Sequence, residues 1–263
     1  METLERISLT YAWYRAHGNT VVSDALAQYV KNVERPDIWV ANQVSLVRAS
    51  SEQEIDRVLE RADRELAHCD HRMVLIDPFT PDAFTARLAL LDYSELSPVL
   101  QMVLTGPVVG KSAAADVTLH PVTTEADWTT LYDLVRADHT EGKTTRGMEL
   151  AEEITRGIVA EYRAKISVSQ FFLALSEGVA CAYGQSIIGP YGMGIVEDLF
   201  VSPAYRKQGI ATKLIHHTVE YARERGMGPM LIGTHVTEAP KNMYAALGFV
   251  PRCLIREYLL EKR

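Results

Sequence analysis

The sequence predicts an α/β protein, a mixed sheet with helices on both faces, built from two similar halves. Three observations carry this prediction. Strand-like apolar runs alternate with stretches of helical period, as where Met230-Leu-Ile-Gly233 follows the helix-forming run 211–225. A stretch of small, weakly patterned residues, 105–116, parts the chain near its middle. The end of the first half, Leu88 to Leu104, also falls on the end of the second, Tyr244 to Leu260, at a constant offset of 156.

Taken in order, the run Ile55 to Leu66 has helical apolar spacing, and Ser51 and Glu54 ahead of it stand at capping-box spacing. Met73 to Ile76 reads as a buried strand, and the stretch from Leu88 as a helix, a turn and a strand. Residues 107–116 form a linker between domains at 1–106 and 117–263. Gly106-Pro-Val-Val-Gly-Lys-Ser112 imitates a nucleotide P-loop, but only three residues separate its glycines where four are needed, and no apolar helix follows. Next come a strand at 117–122, a helix at 126–139, a polar loop from His139 to Met148, a helix at 149–165, and strands at 170–175, 179–188 and 194–201. Ser202-Pro203 ends the last of these strands. The following helix has the apolar stripe Leu214, Ile215, Thr218, Val219 and Ala222; Arg223 and Arg225 suit its negative end, and Gly226 stops it. Met230 to Gly233 is a buried strand, and a helix, a turn and a final strand complete the chain.

The 263 residues exceed the usual size of one domain, roughly 150 residues, and 47% apolar with 23% charged is an ordinary globular composition. A net charge of −7 speaks against a general nucleic-acid or anionic-membrane surface. Cys69, Cys181 and Cys253 are widely spaced and form no CxxC pair, which points to free thiols in a reducing cytoplasm and to no structural metal. The charged start Met-Glu-Thr-Leu-Glu-Arg and the lack of any eighteen-residue apolar run lead to the same cytoplasmic reading.

The stretch from Val196 to Ala211 is the most informative: an apolar strand, a short basic glycine loop, and a helix. The first amides of a helix have no partner within it and, with the positive end of its dipole, favour an anion. Arg206 and Lys207 add charge, Gly209 lets backbone approach a ligand closely, and Ala211 keeps the first turn free of bulk. A pyrophosphate fits such a site. In the first half the corresponding run is Arg48-Ala-Ser-Ser-Glu-Gln-Glu54, where a cap occupies the helix amides and Glu52 and Glu54 repel phosphate. Only the second half is expected to hold the anion.

Arg206-x-x-Gly209-x-Ala211 after a strand ending Leu-Phe-Val, together with Tyr244-x-x-x-Gly248-Phe249, resembles the GNAT acyltransferase superfamily. The resemblance covers 115–263, with the first half similar to a degenerate copy. It implies two tandem GNAT-like mixed, mostly antiparallel sheets and acetyl-CoA as cosubstrate. It further implies that backbone groups of Leu199, Phe200 and Val201 pair with the pantetheine arm, and that the amides of Lys207, Gln208, Gly209, Ile210, Ala211 and Thr212 wrap the pyrophosphate. An amine then attacks the thioester directly. Tyr244 matches the general acid for the leaving thiolate, and in the first half Leu88 stands at its place. An amine of pKa near 10 must lose a proton first. Glu197 and Asp198 are the candidate bases, directly or through water; strand alternation allows only one of them to face a given cleft. Similarity to the Glu-Asp-x-Phe-Val run of spermidine/spermine N-acetyltransferases points to Glu197. The chain departs from the family pattern at Thr237, where an asparagine is common, and at Pro240; Asn242 is the candidate to replace the lost cofactor contact.

His216 and His217 are read chiefly as solvated or boundary residues of the helix after the loop, and His235, just past the strand Met230 to Gly233, is a weaker candidate to face the acceptor. The expected acceptor is a primary amine of a small molecule or peptide, and a homodimer is left open. The rival reading is an acyl-CoA-binding regulatory module without turnover. Retention of both Glu197 and Tyr244 argues against it, since a sensor needs neither.

Overall fold

The computed structural model describes residues 1–110, 114–146 and 150–261, and for 142–146 the backbone alone. In chain order the elements are α1 (Thr3–Ala16), β1 (Thr20–Ser23), β2 (Gln28–Lys31), β3 (Gln43–Ser45), α2 (Glu52–Glu65), β4 (His71–Ile76), α3 (Asp82–Leu90), β5 (Ser94–Glu95) and β6 (Val99–Leu104). They continue with β7 (Val117–Pro121), α4 (Glu125–Arg146), α5 (Glu152–Ala164), β8 (Ser169–Ser176), β9 (Val179–Ile188), β10 (Gly194–Val201), α6 (Ile210–Glu224), β11 (Met230–His235), α7 (Pro240–Ala246) and β12 (Val250–Glu261). The chain forms two compact units. One takes residues 1–102, 233–242 and 251 onward; the other takes 103–232 and 243–250.

In the first unit β1, β2, β3, β4 and β12 lie side by side. Only β3 and β4 run parallel, through Gln43↔Met73 and Val44↔Val74. The chain's last strand completes this sheet, pairing from Arg256↔Ile76 to Glu261↔His71. Its Tyr258 joins a core with Tyr29, Val44, Ile55, Val58, Val74, Phe84 and Leu88. The expected capping box starts α2: Ser51 Oγ accepts from the Glu54 N–H, and Glu54 Oε2 accepts from the Ser51 N–H.

In the second unit β7, β8, β9 and β10 are successively antiparallel, and β10 with β11 is the parallel pair. Successive residues of a strand face opposite sides of the sheet, so β8 builds two cores. Phe171 and Leu173 pack with Trp128, Leu131 and Val135 of α4 and Val159 and Tyr162 of α5. Phe172 and Ala174 pack with Ile210 and Leu214 of α6. Helices thus cover both faces of this sheet, as the sequence led us to expect. The buried stripe of α6 contains all five predicted positions. Helix α4 runs to Arg146, so the polar stretch expected to loop out from His139 is largely helical; its residues 147 and 148 lie outside the described residues, as do Lys111 and Ser112 of the P-loop imitation. Cys69, Cys181 and Cys253 are free thiols. No helix among the described residues is long and apolar enough to cross a membrane.

The repeat is visible in backbone detail. The Leu88 carbonyl accepts from the N–H groups of Leu91 and Tyr93, and the Tyr244 carbonyl from those of Leu247 and Phe249. The intervening Asp92 and Gly248 both take left-handed φ, 60° and 98°. Glycine is required at the second of these positions for space as well, since a Cβ there would lie 3.1 Å from Val109 and 3.2 Å from Leu104.

The α2 cap makes stability pH-dependent. Hydrogen bonds from the Ser50 and Ser51 N–H groups hold the Glu54 carboxyl down at about 2, against an ordinary 4.5. The carboxylate's contribution is therefore complete above pH 4.5 and is lost as pH falls through about 2. Denaturant unfolding of Glu54→Gln should show a shallower loss of stability across that window than the wild type, and parallel curves would contradict the assignment.

Candidate active site

Pairing between β10 and β11 covers Gly194↔Met230, Ile195↔Leu231 and Val196↔Ile232 and goes no further. At that point β10 bulges: Glu197 stands opposite Gln185 and Phe200 opposite Tyr183, which leaves Asp198 and Leu199 across from the single residue Gly184. Asp198 takes a left-handed φ of 50°. Beyond the bulge the strand remains paired with β9. Ser202 N–H donates to the Cys181 carbonyl at 2.9 Å, so in the alternating antiparallel pattern the backbone groups of Phe200 face β9 and those of Val201 face away from it.

The bulge also alters the expected placement of the two acids. Regular alternation would send Glu197 and Asp198 to opposite faces. Here Gln185, which faces Glu197, stands two residues from Tyr183 and shares its side of the sheet, and the Asp198 charge bears on the Tyr183 phenol. Both acids therefore lie on the α4/α5 side, whereas Leu199 and Val201 pack towards α6. Tyr183 is buried, and its hydroxyl donates to Asp138 Oδ2 at 3.2 Å. Burial first, then the charges of Asp138 and Asp198, hold this phenol well above its ordinary pKa.

The loop after β10 contains a 3-10 turn at Pro203–Tyr205 and then two left-handed residues, Lys207 at φ 62° and Gly209 at φ 81°. Gly209 is the N-cap of α6 and supplies no side-chain cap, whereas α2 begins under Ser51. The first-half chain from Leu46, itself left-handed at φ 52°, to Ser51 is about half as long as that from Asp198 to Gly209, so no comparable loop forms there. Lys207 is exposed and makes no ion pair among the described residues. Gln208 Nε2 donates to the Ala204 carbonyl at 3.3 Å. Ile210 is buried, and Ala211 and Thr212 are half-buried in the first turn. Arg206 turns to protein partners: Nε donates to the Val201 carbonyl at 2.9 Å, and Nη1 and Nη2 donate to Glu141 at 2.7 and 2.5 Å.

Tyr244 is buried on α7, with its ring 6.2 Å from that of Phe249. The Asn242 N–H donates to the Ala239 carbonyl within the first turn of α7. Thr237 places its hydroxyl 3.3 Å from that of Ser97, and His235 Nδ1 lies 2.9 Å from the Ser97 carbonyl. His217 packs edge-on against Phe172, and burial lowers its pKa. Asp138, Glu141 and Tyr183 were not legible as site residues, because their partners come from distant parts of the chain. The one available signal was the Asp138/Glu141 spacing, which puts both on one face of a helix.

The sheet is thus mostly antiparallel with one parallel pair, which ends at a bulge beside a helix start without a side-chain cap. Residues 128–249 match the Acetyltransferase (GNAT) family. Three solved structures share the fold over nearly the whole length or most of it. A GCN5-related N-acetyltransferase from Kribbella flavida aligns with a TM-score of 0.73 and 13% identity, over 98% of this chain and 95% of the other. A functionally unknown conserved protein from Staphylococcus epidermidis aligns at 0.71 and 11% identity, over 94% and 96%. A tandem GNAT protein from the clavulanic acid biosynthesis pathway aligns at 0.62 and 14%, over 84% and 75%. No curated protein matches the sequence.

The left-handed N-cap makes Gly209 hard to replace. A Cβ in that backbone conformation costs about 1 to 2 kcal/mol. Gly209→Ala should therefore lower the free energy of unfolding by about that amount in a denaturant titration; an unchanged midpoint would show that the loop relaxes without strain.

Proposed function

We propose that the second unit is an acetyl-CoA-dependent N-acetyltransferase acting on a primary amine, and that the first half is a degenerate copy without a cofactor site. The observation that carries this reading is the end of β10–β11 pairing at Val196↔Ile232, followed by the bulge and an α6 start without a side-chain cap. Such an edge suits the amides of a pantetheine arm, and the helix start suits a pyrophosphate. Leu199, Phe200 and Val201 would line the arm. The backbone of Lys207 to Thr212, with the Lys207 ammonium, would hold the phosphates. In the first half the Ser51–Glu54 box already satisfies the helix start, so one CoA is expected per chain.

In the proposed reaction Glu197, directly or through water, takes a proton from the incoming ammonium. The freed nitrogen lone pair would attack the thioester carbonyl carbon and the C–S bond would break; Tyr244 would give its phenolic proton to the departing sulfur, and the extra proton on the acylated nitrogen would pass to solvent, from which the tyrosinate regains its own. The products are the acetylated amine and CoA thiol.

Thiol release from acetyl-CoA with a panel of primary amines tests the proposal. Turnover is expected, and Tyr244→Phe should lower kcat by about a hundredfold or more. Absence of both CoA binding and turnover would refute the reading, and CoA binding without thiol release would make the protein a sensor.

A further inference from the structure

Resting on the reading of this loop as a CoA site, we propose that Arg206 and Glu141 are positioning residues: the arginine clamps the end of β10 to α4 and so holds the phosphate loop in shape, leaving the cofactor's charge to Lys207 and the backbone. Three of the guanidinium's nitrogens are already engaged. Nε holds the Val201 carbonyl at 2.9 Å, on the side of β10 turned away from β9. Nη1 and Nη2 form a two-pronged bond with Glu141, at 2.7 and 2.5 Å. The guanidinium carbon also stands 5.8 Å from the centre of the Phe200 ring. Planar, bidentate pairs of this kind hold geometry better than single contacts between point charges.

The clamp joins two parts of the candidate site. Glu141 lies one turn beyond Asp138 on α4, and Asp138 accepts from Tyr183, whose phenol also feels the Asp198 charge in the bulge. Three residues after Arg206 the chain reaches the left-handed Gly209, with the left-handed Lys207 between them. Two positive-φ residues between short anchors need a fixed starting point, and the Arg206 side chain supplies one. Lys207, exposed and without an ion pair among the described residues, is the cation left for a phosphate.

Calorimetric titration of the full chain with CoA at low and high NaCl tests the inference. Salt weakens attraction between exposed charges, so losing a phosphate-binding cation should flatten the salt dependence of affinity, whereas losing a positioning residue should weaken affinity and leave that dependence unchanged. Glu141→Gln and Arg206→Gln are each expected to weaken CoA binding about threefold to tenfold, with the double variant no weaker than either single one. Lys207→Gln should flatten the salt dependence. The inference is overturned if Arg206→Gln flattens it as Lys207→Gln does, or if Glu141→Gln binds CoA as tightly as the wild type or more tightly. Thermal unfolding verifies that each variant is folded. If Glu141→Gln is not, the exchanged pair Glu141→Arg with Arg206→Glu decides: affinity nearer the wild type than that of Arg206→Glu alone supports the clamp, and no such recovery overturns it. Failure of the wild type to bind CoA would instead sink the cofactor reading itself.

Discussion

The candidate site depends on a strand that loses one partner halfway along. From Gly194 to Val196, β10 is paired on both sides; past Val196 it keeps only β9 among the described residues. An unpaired sheet edge is usually a liability, because its amides and carbonyls invite another strand. A bulge accompanies the loss here, with Asp198 held at a left-handed φ that favours glycine. Backbone strain and an open edge occur together at the place where a ligand with its own amides would form the missing ladder.

The same element order without the opening occurs in the first unit. There β3 pairs in parallel with β4, the chain turns through a left-handed Leu46, and α2 begins almost at once beneath its own cap. The difference lies in the connection between strand and helix. The long connection in the second unit leaves room for Arg206, Lys207 and Gly209, while the short one in the first gives the helix amides to Ser51 and keeps carboxylates beside them. On the proposed reading of the first half as a degenerate copy, its closed loop leaves that half to serve packing. Leu88, fully buried where the second copy has Tyr244, fits that division.

Much of this was legible from local chemistry. The capping box at Ser51 and Glu54, the turn at Tyr244 to Phe249 and the buried stripe of α6 are all written in residues a few positions apart, and each formed as expected. What escaped depended on distant partners. The final turns of α4 carry Gly142 and three threonines, poor helix formers, yet Asp138 and Glu141 are held there by Tyr183 and Arg206 from far along the chain. The bulge escaped because Asp198 lacks the glycine that commonly marks a left-handed residue, so alternation was assumed through a point where the strand breaks it. The short strands β1 to β3, three or four residues each, offered too little pattern to be read at all.

Backbone amide exchange, measured residue by residue with and without CoA, tests the central claim that one strand edge and one helix start form the cofactor site. CoA-dependent protection is expected at Leu199 and Val201 and at Lys207 to Thr212, with no change from Leu46 to Glu54. Protection at the first-half cap, or none along β10 and its loop while CoA is bound, would contradict it.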